Sequence, residues 1–300
     1  MNEFVSEYWT WYISIPTILG IIGCYVLVLW MSTKKRTGEE IKTMGHVWDE
    51  NLEELDNPLP NWWRWMVYST LIFSAVYLVL YPGLGSFSGV LNWTSTGQYD
   101  KEVQVAKEKY GPIFARYATQ DIEVISKDPD ALAIGQRMFI NYCSTCHGSD
   151  AGGGPGFPNL TDNSWLYGST PQAIKTSILN GRKGVMPPMG AALGGDEGIA
   201  QVAAYVMSLS GREADPELVA AGKAKFAICA GCHMPDGKGN QALGAPNLTD
   251  DAWLYGASLG TIKKTIRDGR NGVMPAHQDF LGEDKSHLIA AYIYSLSNKP

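Results

Sequence analysis

The chain has 300 residues, a formal net charge of −6 and 45% hydrophobic residues. That length admits more than one folding unit. From residue 101 to 300, 19 Lys and Arg stand against 20 Asp and Glu, so the basic stripe that nucleic-acid binding needs is absent and nucleic acid is excluded as a partner.

Residues 8–33 carry no charged side chain, a run of 26. As a helix it would span roughly 39 Å, more than the bilayer hydrocarbon. Trp9, Trp11 and Trp30 lie near its ends, where indole rings favour the membrane interface. A cleaved leader would start with basic residues and end at a small-residue site. This stretch starts with Asn2, Glu3 and Glu7 and ends in Trp30-Met31, so an uncleaved transmembrane anchor is expected over 1–33. A second anchor is expected over 62–84. There Trp62, Trp63, Arg64 and Trp65 border the apolar run 66–81, and Pro82-Gly83 closes it. The loop 34–61 holds Lys34, Lys35, Arg36 and Lys42, and Arg64 opens the second run. Lys and Arg concentrate on the cytoplasmic side. The expectation is a two-pass protein of a bacterial inner membrane, with the loop cytoplasmic and the C-terminal part periplasmic. The acidic run from Glu39 to Asp56 reads as a solvated loop.

Residues 85–128 read as a periplasmic linker. Its first part is rich in Gly, Ser, Thr and Asn, and from Tyr99 to Lys127 a charged helical pattern breaks at Gly111-Pro112, which predicts short helices. A tandem duplication follows, with units at 129–212 and 213–300. Cys143-Ser-Thr-Cys146-His147 returns as Cys229-Ala-Gly-Cys232-His233. Pro158-Asn-Leu-Thr-Asp162 returns at 246–250, Trp165-Leu-Tyr-Gly168 at 253–256, Gly184-Val-Met-Pro187 at 272–275 and Ala203-Ala-Tyr205 at 290–292. The period exceeds that of stacked solenoid units, so each copy is expected to be a small domain with its own core. Gly135 with Phe139, and Gly222 with Phe226, suggest a first helix that crosses a last helix, bearing Tyr205 or Tyr292, through a glycine contact. A covalent cofactor would staple so short a domain.

Cys-x-x-Cys-His is the attachment signature of c-type haem. Each thiol adds to a vinyl group, and the two-residue gap puts both sulfurs on one helical turn. The adjoining His can then ligate the iron. Zinc sites draw four ligands from closely spaced pairs; here the pairs lie far apart, each with its own His. Two covalently bound c-type haems are expected, attached at Cys143/Cys146 and Cys229/Cys232, with His147 and His233 as axial ligands. The opposite ligand is expected from Met186 and Met274, the methionines of the two Gly-Val-Met-Pro loops, 39 and 41 residues after the respective His. A His/Met site raises the reduction potential. The matching loops leave open whether each Met serves its own repeat or the other one. Met189 and His277 are less favoured because they do not match each other, Met234 follows His233 too closely, His46 lies in the cytoplasmic loop, and His287 reads as a surface residue. Trp165 and Trp253 read either as shields of a haem edge or as ordinary packing. Cys24, inside the first apolar run, has no assigned role.

These motifs resemble class I cytochrome c domains. The whole organisation resembles subunit III of cbb3-type cytochrome c oxidase: an anchor, a linker, and two haem domains each with the Pro-Asn-Leu-Thr-Asp-x-x-Trp-Leu-Tyr-Gly segment. The resemblance implies an all-α chain of two transmembrane helices and two tandem class I cytochrome c domains. It also implies electron transport in oxidative phosphorylation. A soluble periplasmic cytochrome c or a membrane-anchored monohaem c-type subunit would deliver electrons, and a haem–copper catalytic subunit would receive them. No catalytic centre is legible in this chain. The other readings are a free-standing membrane-anchored dihaem cytochrome and the cytochrome subunit of a dehydrogenase.

Overall fold

The computed structural model describes residues 7–32 and 41–297. Lys34, Lys35, Arg36 and Glu39 lie outside the described residues. The chain divides into two compact units, 1–108 and 109–300.

In the first unit, α1 (Glu7–Met31) and α2 (Asn61–Leu80) are both long and apolar enough to cross a membrane. Their side chains are largely exposed: only Val28 is buried on α1 and none on α2, where a soluble core helix would be mostly covered. The rings of Tyr25 and Tyr68 meet at 6.2 Å, and Thr10 hydrogen-bonds Ser86 at 2.7 Å. The acidic stretch between the helices forms a hairpin, β1 (Thr43–Trp48) and β2 (Leu52–Leu55), rather than an irregular loop. Thr43, Val47 and Trp48 in β1 are residue types that favour an extended strand. The next helix, α3 (Ser95–Ala118), runs unbroken through Gly111 and Pro112. Proline removes one backbone donor there, and the turns on either side carry the helix through.

The second unit is built from helices and one short ladder. After α4 (Ile122–Ile125) come α5 (Pro129–Tyr142), α6 (Ser144–His147), α7 (Pro171–Asn180), β3 (Arg182–Met186) and α8 (Asp196–Leu209). The second copy supplies α9 (Pro216–Lys225), α10 (Ala230–His233), α11 (Leu259–Asp268), β4 (Arg270–Met274) and α12 (Gln278–Ser297), kinked at Gly282. Asp128, Thr170, Asp215 and Ser258 cap α5, α7, α9 and α11 through side-chain oxygens, and Pro follows at the first turn of three of them.

The two cores do not follow the repeat boundary. One joins Phe139, Ile174 and Ile178 of the first repeat to Leu281, Leu288 and Ile289 of the second. The other joins Ile199, Val202 and Val206 of the first repeat to Phe226, Ile262 and Ile266 of the second. The terminal segments, β3–α8 and β4–α12, are thus exchanged between two bodies. The crossing is an antiparallel ladder that pairs Arg182 with Met274, Gly184 with Gly272 and Met186 with Arg270. The glycine crossings exist, but between repeats. A Cβ on Gly135 would strike the Leu288 carbonyl and Tyr292 of α12, and one on Gly222 would strike the Gln201 carbonyl and Tyr205 of α8. The expectation that each repeat carries its own core is therefore corrected. The reason is local: α8 and α12 carry matching faces, so either suits either body, and the short connection from Leu209 to Pro216 keeps α8 beside α9. The all-α expectation holds in part: the chain is mostly helical, and the described residues include two short two-stranded sheets. The Gly-Val-Met segments lie in ladder strands instead of free loops.

His287 is a further correction. It is buried on α12, and its Nε2–H donates to the Gln120 carbonyl at 2.8 Å. The chain leaving α3 covers it, a tertiary contact that neighbouring residues do not encode.

Gly135→Ala is expected to destabilise the second unit by about 2 kcal/mol through overpacking against α12 backbone. Thermal unfolding of the detergent-solubilised protein should show a midpoint lower by about 4–8 °C.

Candidate haem-binding sites

The sequence around each Cys pair folds into one helical turn. Cys143 ends α5 and caps α6, and its carbonyl accepts from the backbone N–H groups of Cys146 at 3.1 Å and His147 at 3.0 Å. Cys229 does the same for Cys232 at 3.1 Å and His233 at 2.9 Å. All four thiols are free, with Cys146 and Cys232 exposed. Burial, and then the neighbouring Cys146, push the Cys143 thiol up to about 11. Burial also raises the Cys229 thiol, with Cys232 adding to it.

Both imidazoles are oriented alike. Nδ1–H of His147 donates to the Pro158 carbonyl at 3.0 Å, and that of His233 to the Pro246 carbonyl at 3.1 Å. A carbonyl only accepts, so the proton sits on Nδ1 and Nε2 keeps its lone pair. The repeated Pro-Asn-Leu-Thr-Asp segment positions that carbonyl: Asn159 and Asn247 Oδ1 accept from the Thr161 and Thr249 backbone at 2.8 and 3.0 Å, closing an Asx turn. Burial lowers the His233 pKa despite the opposing hydrogen bond to Pro246, so the imidazole is held neutral, as ligation requires.

The methionines reach these bodies from the other repeat. Met274 packs on the same core as Cys143 and Trp165, and Met186 on the same core as Cys229 and Trp253. Met189 packs on the same core as Met186. Met234 and His46 are exposed. His277 Nδ1–H is held by the Pro275 carbonyl at 2.8 Å.

Comparison with known proteins gives the same picture. The family model described as cytochrome c oxidase, cbb3-type, subunit III matches residues 130–206 and again 217–293. That for the N-terminal domain of cytochrome oxidase-cbb3, FixP, matches residues 40–88. A relative from Rubrivivax gelatinosus, the cbb3-type cytochrome c oxidase subunit CcoP, is 47% identical over 99% of this chain and 97% of its own length. The chain belongs to the subunit III family of cbb3-type cytochrome c oxidases. The FixP subunit of Sinorhizobium medicae is 38% identical over 85% of the chain and 94% of its own length. The CcoP subunit of Cereibacter sphaeroides is 36% identical over 88% and 97%.

Membership in this subunit III family implies c-type haem, and the residues present fit it. Buried Trp165 Nε1, Trp253 Nε1 and Tyr167 Oη have no hydrogen-bond partner among the described residues. Orphaned donors of this kind suit a bound group that brings acceptors, such as the haem carboxylates. Arg182 lies over the Tyr167 ring at 4.7 Å and Arg270 over the Tyr255 ring at 4.1 Å, beside the ladder. Sequence reasoning assigned these four residues no role. The signal was there, since Tyr-Gly and Gly-Arg recur in both repeats.

In the haem-free chain, Cys143 should alkylate more slowly than exposed Cys146 between pH 7 and 9. A pKa near 11 leaves about a hundredfold less thiolate than an ordinary thiol has. Peptide mass mapping over time measures both rates; equal rates would mean the Cys143 pocket does not form.

Proposed function

We infer that this chain is the electron-transfer subunit of a cbb3-type terminal oxidase and carries two c-type haems. Cys143/Cys146 and Cys229/Cys232 are the tethers, and His147 and His233 present Nε2 to the irons. When bound, the haem iron supplies a one-electron couple. Met274 is assigned opposite His147, and Met186 opposite His233. The observation that supports this pairing is the exchange itself: Met274 packs on the same core as Cys143, and Met186 on the same core as Cys229. A methionine thioether bound to the iron would raise the potential and would leave no open position for small ligands, which suits a relay more than an oxygen site.

The two apolar helices anchor the chain in the membrane. The Lys and Arg pattern supports a cytoplasmic hairpin and periplasmic haem sites. In that arrangement a soluble periplasmic cytochrome c or a monohaem c-type subunit delivers electrons, and the haem–copper subunit receives them.

Extraction from native membranes in mild detergent should bring b-type haem and oxygen uptake with the chain. Purification alone, with c-type absorption only and no oxygen uptake, would support a free-standing dihaem cytochrome instead.

The ligand assignment has its own test. In a chain whose second pair is removed (Cys229→Ala with Cys232→Ala), one haem remains, at Cys143/Cys146. There Met274→Ala should convert it to a high-spin spectrum, and Met186→Ala should leave it low-spin. The reverse result would assign each methionine to its own repeat.

A further inference from the structure

The β1–β2 hairpin has two properties that do not belong to an isolated loop. Every residue of both strands is exposed. Many of these side chains are large and apolar: Trp48 is 55% and Leu52 65% exposed, with Met44, Val47 and Leu55 between 54% and 57%. Trp48 and Leu52 are cross-strand partners on one face, with the His46 ring beside Trp48 at 6.4 Å. Val47 lies across from Glu53, and Leu55 across from Thr43. Both faces therefore carry apolar groups, and among the described residues both strands have an open edge. A two-stranded ribbon with no third layer is marginal in water. Asp49 and Glu50 at its tip also hold positive φ angles of 50° and 75°, which costs a non-glycine residue. Such a ribbon is completed by something that covers it.

Charge selects what that is. Between Lys42 and Asp56 one lysine stands against five carboxylates, a net −4 with His46 neutral. The anionic cytoplasmic leaflet would repel this segment. A second copy of the hairpin would repel it as well. The cytoplasmic surface of a multi-span membrane protein has the opposite character, because its loops carry the excess Lys and Arg. An apolar ribbon rimmed by Asp49, Glu50, Glu53 and Glu54 is complementary to such a surface in both hydrophobicity and sign.

We propose that the β1–β2 hairpin is a docking element that seats on the basic cytoplasmic surface of a multi-span partner subunit. The proposal rests on the cytoplasmic orientation inferred above. It gives the segment between the anchors a role separate from electron transfer.

Two measurements on the full chain in native membranes separate the orientation from the docking. Asn57→Cys, outside the strands, should react with a membrane-impermeant maleimide in inverted vesicles and not in intact spheroplasts. Reaction from the outside would overturn the orientation and the proposal together. A benzophenone side chain at position 52 should, on illumination of the assembled complex, form an adduct with a multi-span subunit. Adducts with lipid or with a second copy of this chain, or no adduct at all, would overturn the docking and leave the orientation standing. A third variant addresses charge. Glu53→Lys with Glu54→Lys should lower the b-type haem recovered with this chain by about tenfold, roughly 1.4 kcal/mol of association. The c-type absorption should be unchanged, since these residues lie far in sequence from the haem motifs. Undiminished recovery would overturn the charge-complementary partner.

Discussion

Five residue pairs of antiparallel ladder, Arg182–Met186 against Arg270–Met274, hold the second unit together. At that ladder each repeat gives up its last helix to the other. Gly181 and Gly269 make the crossing possible. Both take positive φ, and a Cβ on either would run into the Met274 or Met186 carbonyl on the opposite strand. Once the strands cross, α12 must lie on α5 and α7, and α8 on α9 and α11. The methionines follow from the same register, because each sits across from the arginine that begins the other strand.

The paired sites are similar in plan and different in surroundings. Both use a one-turn helix for the thiols and a proline carbonyl to fix the imidazole tautomer. His233 is buried while His147 is partly open. Gly148 takes the positive-φ position after His147, whereas Met234 holds it after His233. Burial and hydrogen bonding around the ligands are among the levers that set a haem potential. The two sites differ in burial, while the hydrogen bond that holds each imidazole is the same.

Much of this was legible in the residues. Cys-x-x-Cys-His, repeated, carries its chemistry in five positions, and the ordered return of Trp-Leu-Tyr-Gly carries the family. The apolar runs flanked by tryptophan stand out by composition alone. The exchange was not legible, because matching helices satisfy the same local pattern in either partner; Ala203-Ala-Tyr205 and Ala290-Ala-Tyr292 are equivalent to any reading of periodicity. His287 was missed because its cover comes from Gln120, 167 positions away. Gly111-Pro112 read as a break, yet helix on both sides outweighs one lost donor. The ladder strands read as loops because Gly and Pro flank them, and an extended strand of five residues has little periodicity to detect.

The exchange also sets the order in which the protein can be completed. Phe139 cannot be enclosed until Leu288 arrives, 149 residues later. At a synthesis rate of about 5–20 residues per second, that interval is roughly 7–30 seconds. For that time the first cysteine pair sits on an open half-body while the rest of the chain is still being made. The second body has the opposite history, since its borrowed strand and helix are already present when Cys229 appears. In that interval Cys143 stays open on the side of the core that Leu281 and Leu288 later complete.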